Sequence, residues 1–233
     1  MARKPPRNAA TPSTTGAAKP ARERIIEAFM TLLAQESFEE IGLADIARQA
    51  GVSLAELRQI FAAPFAVLAA QIKEIDRQVL AGGDPEMADE SARERLFDVL
   101  MRRLDLLEAH KGAVRSLMRS ARRSPALAFA LNALAVRSQQ WMLAAAGINT
   151  GGTRGMLRAQ GLAALYASVL RTWIEDEDEG RARTMAALDR ALARGQRWSG
   201  FLDDVCRIPQ CFGRMRPRHD RAGDSEEPDT VAV

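Results

Sequence analysis

The chain has little cysteine, histidine or aromatic side chain, and no apolar run in it approaches the length of a membrane span. Its two cysteines, Cys206 and Cys211, sit close together near the C-terminal end, and its two histidines, His110 and His219, lie far apart. Such a set builds neither a zinc site nor a disulfide framework, and it fits a cytoplasmic protein with reduced thiols. The N-terminus carries basic residues but lacks the apolar stretch of a secretory signal. Gly-rich phosphate loops, metal-ligand spacings and nucleophile–base arrangements are missing as well. The expectation is therefore no enzyme, with no catalytic residues, no metal and no cofactor. β-Branched residues are also sparse, whereas Ala, Leu, Arg and Glu abound, which is the balance of helices rather than strands. An all-α protein follows.

The formal net charge of +3 is too small to imply a nucleic-acid partner by itself. Its distribution says more. Arg3, Lys4, Arg7, Lys19, Arg22 and Arg24 precede or open the first apolar pattern, whereas Asp224, Glu226, Glu227 and Asp229 make an acidic end. Residues 1–20, rich in Pro, Thr, Ser, Gly and Ala, read as a flexible basic arm because they lack apolar residues to offset ordering entropy. Helical periodicity then begins with Ile25, Ile26, Phe29, Leu32 and Leu33 on one stripe. A short helix is expected over 41–49, a turn at Ala50-Gly51-Val52, and a third helix from the capping Ser53 to Phe61. Pro64 opens a fourth, with Phe65, Leu68, Ile72, Ile75 and Val79 in phase. After the break at Gly82-Gly83-Asp84-Pro85, Ser91 and Glu94 form a capping box for a long helix. A shorter helix holds Val114, Leu117 and Met118, and Ser124-Pro125 starts another, stopped by Gly147. Two more helices flank the acidic loop 175–179, which reads as a solvated turn. About nine helices result, divided as arm 1–20, head 21–80, body 84–206 and a largely disordered tail 207–233.

Residues 41–61, IGLADIARQAGVSLAELRQIF, carry the sharpest signal. Two helices crossing steeply need a small residue at the crossing, supplied by Ala47. They need a turn residue tolerant of positive φ four positions on, supplied by Gly51, and an apolar anchor on the second helix, supplied by Leu57. Ile46, Val52 and Phe61 complete a small core. This is the spacing of a helix-turn-helix.

The order of helix 1, D-I-A-R-Q-A-G-V-S, L-x-x-x-F and an apolar fourth helix resembles the DNA-binding head of TetR-type regulators. Asp45, Ile46, Ala47, Ala50, Gly51, Val52, Ser53, Leu57 and Phe61 carry the match, which is specific over roughly residues 22–70. The resemblance implies an N-terminal three-helix head on a helical ligand-binding and dimerisation body. It also implies a DNA-binding transcriptional regulator that acts as a homodimer on a double-stranded DNA operator under control of a small apolar effector. The residues placed at DNA are Leu43, Arg48, Ser53, Leu54, Ala55, Glu56, Arg58 and Gln59. The chain departs from the pattern at several of them. Leu54 stands where a lysine is usual, Arg58 and Ile60 where a tyrosine and a histidine are, Pro64 where a phosphate-binding lysine is, and Leu43 where a threonine is. Glu56 adds negative charge, leaving Arg48, Arg58, Gln59 and the arm to compensate.

A second resemblance falls on residues 166–198, YASVLRTWIEDEDEGRARTMAALDRALARGQRW. Its tryptophan, acidic turn and A-x-L-D-R helix are similar to the C-terminal part of a lipid-binding accessory protein of ubiquinone biosynthesis, which shares the TetR-type fold. The alternative function is thus a lipid-binding protein with an idle head. Under either reading, Phe97, Met101, Met118, Trp141 and Tyr166 are the candidate ligand-binding residues, since large, deformable apolar groups suit a greasy ligand. No Arg or Lys is expected on their stripes. Ile208, Cys211, Phe212 and Met215 have helical spacing among arginines and could lie on a membrane surface, but Gly213 and the short length favour a frayed tail. For the dimer, Leu157, Leu162, Leu165, Val169 and Leu170, with Met185, Leu188, Leu192, Trp198 and Phe201, are expected to build an isologous four-helix interface.

Overall fold

The computed structural model describes residues 19–205, with side-chain environments up to Gly195. Residues 1–18 and 206–233, and with them most of the expected arm and the whole expected tail and membrane-surface segment, lie outside the described residues. Nine α-helices and two short 3-10 turns make up the described chain, and no strand occurs among these residues.

The first four helices are α1 (Ala21–Gln35), α2 (Leu43–Ala50), α3 (Leu54–Ile60) and α4 (Pro64–Ala81). Ile25, Phe29 and Leu33 of α1 are fully buried against Ile46 and Ala47 of α2, Leu57 of α3 and Val67 of α4. Phe38, in the loop after α1, stands edge-on between Phe29 and Phe65, with ring centroids 6.3 and 6.4 Å away. The second helix starts two residues later than the periodicity predicts. The Asp45 carboxylate accepts the Gly42 amide at 3.2 Å and sets the start there, leaving Ile41 buried in the preceding loop.

The rest comprises α5 (Ala92–Leu107), α6 (Lys111–Arg123), α7 (Pro125–Ala145), α8 (Gly152–Glu175) and α9 (Ala182–Val205). The expected caps are in place. Ser91 Oγ accepts the Glu94 amide while the Glu94 carboxylate accepts the Ser91 amide at 3.1 Å. Ser124 Oγ accepts the Leu127 amide at 3.3 Å. Gly147 ends α7 in the left-handed region at φ 72°, and the Ile148 amide reaches back to the Leu143 carbonyl.

Helices α4 and α6 both serve the two cores. Along α4, Val67 and Leu68 enter the head core and Ile75 and Val79 the body core. Along α6 the division runs round the helix: Ala113 and Leu117 pack against the head, Val114 and Met118 against the body. Further bonds fix the α6–head contact. Ser116 Oγ donates to the Glu36 carbonyl at 2.6 Å, and the Phe38 amide donates to Ser120 Oγ at 3.1 Å.

The acidic loop departs from the sequence reading. Asp176 is buried, and one carboxylate oxygen accepts both the Thr184 amide, at 2.9 Å, and the Thr184 hydroxyl, at 2.6 Å. These bonds, the hydroxyl first, hold its pKa below the ordinary 3.8. Asp176 is thus a structural tie to α9, while Glu175, Glu177, Asp178 and Glu179 are exposed.

Candidate functional site

The head places α2 and α3 across a turn built on Gly51. Its φ of 63° lies in the left-handed region, its amide donates to the Arg48 carbonyl, and the Val52 amide donates to the Ala47 carbonyl at 3.0 Å. This pair of hydrogen bonds closes α2 and turns the chain at once. Ser53 then caps α3, its Oγ accepting the Glu56 amide at 3.1 Å. Leu57 is 1% exposed and anchors α3 on the head core, a burial that contributes roughly 1.5–3 kcal/mol. With Leu57 inward, the opposite face of α3 turns to solvent: Leu54, Ala55, Arg58 and Gln59 are all exposed on it.

The remaining candidates for DNA contact lie alongside. Leu43, at the start of α2, is exposed. Arg48 is exposed and reaches back to Asp45, with Nη2 to Oδ1 at 2.7 Å. Ser53 is exposed at the backbone turn but its hydroxyl is occupied as the cap. Glu56 is half-buried and lies 3.9 Å from Arg24 Nη2, so its charge is partly answered from α1. Of the eight, Glu56 is half-buried and the other seven are exposed, and Arg48, Ser53 and Glu56 have internal partners.

One residue that positions this surface was not read from the sequence. Arg24 of α1 donates from Nη1 to the carbonyls of Ala50 and Gly51, both at 3.2 Å, and so ties the turn to the first helix. Arg22 stacks over Phe61, its guanidinium carbon 5.9 Å from the ring centre. In the sequence both arginines simply belong to a basic N-terminal region. No local pattern marks an arginine that bonds two carbonyls about 26 residues away.

In the body the five candidate ligand residues do not form one group. Tyr166 is buried in the core, and Phe97, Met101 and Met118 pack against its edge. Trp141 is 56% exposed on the outer side of α7. Its neighbour Met142 takes the inward place instead, which corrects the reading of Trp141 as a lining residue. The expectation that no cation occupies these stripes is also corrected. Arg103 lies between Leu100 and Leu107 on the buried face of α5 and is 6% exposed. It pairs with buried Asp76 of α4, and Ser138 Oγ of α7 donates to the same carboxylate at 2.8 Å. The spacing was visible, because Arg103 and Asp76 both fall in phase with apolar stripes. Leu188, expected at a subunit interface, is fully buried within the body, whereas Leu157 is 57% exposed.

No protein-family model matches the chain, and no curated protein does. Solved structures do. The TetR transcriptional regulator from Nitrosomonas europaea ATCC 19718 is 25% identical over 76% of this chain and 99% of its own, with a TM-score of 0.60. A TetR transcriptional regulator from Rhodococcus sp. RHA1 is 19% identical over 76% of this chain and 94% of its own, at 0.54. A TetR-family regulator from Streptomyces coelicolor is 18% identical over 79% of this chain and 84% of its own, at 0.51.

Proposed function

We propose that this chain, a helix-turn-helix protein with the TetR-type fold, is a DNA-binding transcriptional regulator that works as a homodimer under control of a small apolar effector. The observation that carries this reading is the exposed face of α3. The scaffold behind it is complete, from the left-handed Gly51 to the capped Ser53 and buried Leu57, yet Leu54, Ala55, Arg58 and Gln59 of α3 stay exposed. A helix held this firmly by one face and left bare on the other suits insertion into a major groove. Arg58 and Gln59 have the donors for a guanine or adenine edge, and Leu54 and Ala55 suit a thymine methyl. Arg48 and Leu43 flank the groove, where Arg48 can exchange its Asp45 partner for a phosphate. Similarity to the Nitrosomonas regulator across nearly all of that chain supports the same reading.

The homodimer rests on exposed Met156 and Leu157 of α8 and Met185 of α9, apolar groups that a second copy would cover. Two heads related by a two-fold axis would then read a palindromic site. The direct test is selection of DNA fragments on the purified protein, followed by the same selection with Arg58→Ala. A single palindromic site recovered by the parent chain and lost by the variant is expected, with helical content and oligomeric state unchanged. Failure of the parent chain to retain any site at low salt refutes the proposal.

A further inference from the structure

Four helices send polar side chains into the apolar interior of the body. Asp76 comes from α4, Arg103 from α5, Ser138 and Gln139 from α7 and Tyr166 from α8, and each is at least nine-tenths buried. Part of the group is satisfied internally: Asp76 accepts from both Arg103 and Ser138. Part is not. The Arg103 Nε–H, the Tyr166 hydroxyl and the Gln139 side-chain oxygen are buried without a hydrogen-bond partner. Arg103 lies over the Tyr166 ring, its guanidinium carbon 5.7 Å from the ring centre, which brings the first two of these to one place. Buried polar groups in native proteins are nearly always paired, so neighbouring unpaired ones mark a missing oxygen.

The geometry points to an effector anchor at Arg103 and Tyr166 that takes an uncharged carbonyl on an otherwise apolar molecule. Nε–H can only donate, and a tyrosine hydroxyl beside a guanidinium has its O–H left to donate, so the place calls for an acceptor. Charge argues against a carboxylate or phosphate. Asp76 already neutralises Arg103, and an incoming anion would meet the Asp76 carboxylate across the same guanidinium. Tyr166 also remains a neutral donor, since burial raises its pKa well above 10.0. Gln139 Oε1 would accept a hydroxyl or amide N–H where the ligand has one. Half-buried Phe97, Met101 and Met118 offer the adaptable apolar surroundings for the remainder. The site rests on the regulator reading only for its consequence at DNA, where Asp76 on α4 would pass occupancy on to the head.

Methyl nonyl ketone, undecane and undecanoate test the chemistry on the full chain by titration calorimetry, with Tyr166→Phe beside the parent. The ketone is expected to bind saturably and tighter than the alkane or the carboxylate. Tyr166→Phe should weaken it about tenfold, the loss of one hydrogen bond. The same variant should melt no lower than the parent without ligand, because the hydroxyl it removes has no partner. Equal binding of ketone and alkane overturns the anchor. So does a Tyr166→Phe chain that melts lower yet keeps its ketone affinity, since a buried water would then satisfy the hydroxyl. These titrations use no DNA. Preference for the ketone in a chain that selects no DNA site upholds the anchor and sinks the regulator reading; the reverse pattern overturns the anchor alone.

Discussion

Gly51 offers the cleanest perturbation of the surface assigned to DNA. A Cβ built there would find its nearest neighbour, Arg24 Nη1, at 3.7 Å, an ordinary contact. Substitution therefore creates no clash, and the whole cost comes from holding an L-residue at φ 63°. That cost is roughly 1–2 kcal/mol for alanine. Asparagine visits the left-handed region more readily and should lose less, whereas valine, branched at Cβ, should lose more. For a domain of this size the alanine penalty lowers the melting temperature by about 2–8 °C. Urea unfolding of the parent and the three variants, at one fixed protein concentration because the proposed dimer would add to stability, is expected to give the ranking Gly, Asn, Ala, Val. The same order is expected in affinity for the selected DNA site, since the turn sets the angle of α3. An Ala variant as stable as the parent would refute the backbone argument. A larger loss for Asn than for Ala would show that side-chain volume, not φ, is responsible.

Other substitutions test the remaining parts. Arg103→Met or Asp76→Leu alone leaves a buried charge unpaired and should cost about 3–5 kcal/mol, while the double variant returns close to the parent in denaturant unfolding. Asp176→Asn should differ most from the parent at neutral pH. Because the folded-state pKa of Asp176 is depressed, its contribution is complete above the unfolded value of 3.8 and is lost as pH falls through the folded one. The two melting curves should therefore converge in acid, and a constant offset across pH would contradict the assignment. Leu157→Glu, on an exposed position of α8, should release folded monomer in light scattering, whereas Leu188→Glu, at a fully buried one, should unfold the chain. The opposite pair of results would restore Leu188 to the interface.

The head was legible because its determinants are local. Ala47, Gly51, Ser53 and Leu57 lie within eleven residues, and each does one thing that its chemistry dictates: a small contact, a positive φ, a cap, an apolar anchor. The caps at Ser91 and Ser124 could be read for the same reason. What failed to show is what depends on long-range packing. Trp141 and Met142 are adjacent, and periodicity in an alanine-rich helix cannot say which faces inward, because alanine dilutes the stripe on every side of α7. Leu188 and Leu157 look alike in sequence, yet one fills the body and the other meets solvent. Asp176 was hidden among four other acidic residues, and only its bonds to Thr184 separate it from them.

Those long-range features are also the ones that join ligand to DNA in the proposed function. An effector in the body can alter DNA affinity only through elements shared by both halves, and differential contact with two states is what moves the equilibrium. Two such elements stand out. The head-side residues of α4, Val67 and Leu68, are carried on the same rod as Asp76, two turns further along. In α6, Ser116 and Ser120 hold the loop after α1, while Lys111 donates to the Asp176 carbonyl at 2.7 Å and Arg115 to the Ile174 carbonyl at 2.7 Å, both at the end of α8. A shift of α4 relative to α6 would therefore strain the head from two sides, at Val67 and at Phe38. Because packed cores do not deform continuously, the head would answer by moving as a unit rather than by bending. On this argument the spacing of two heads, not the internal geometry of either, is the quantity an effector changes.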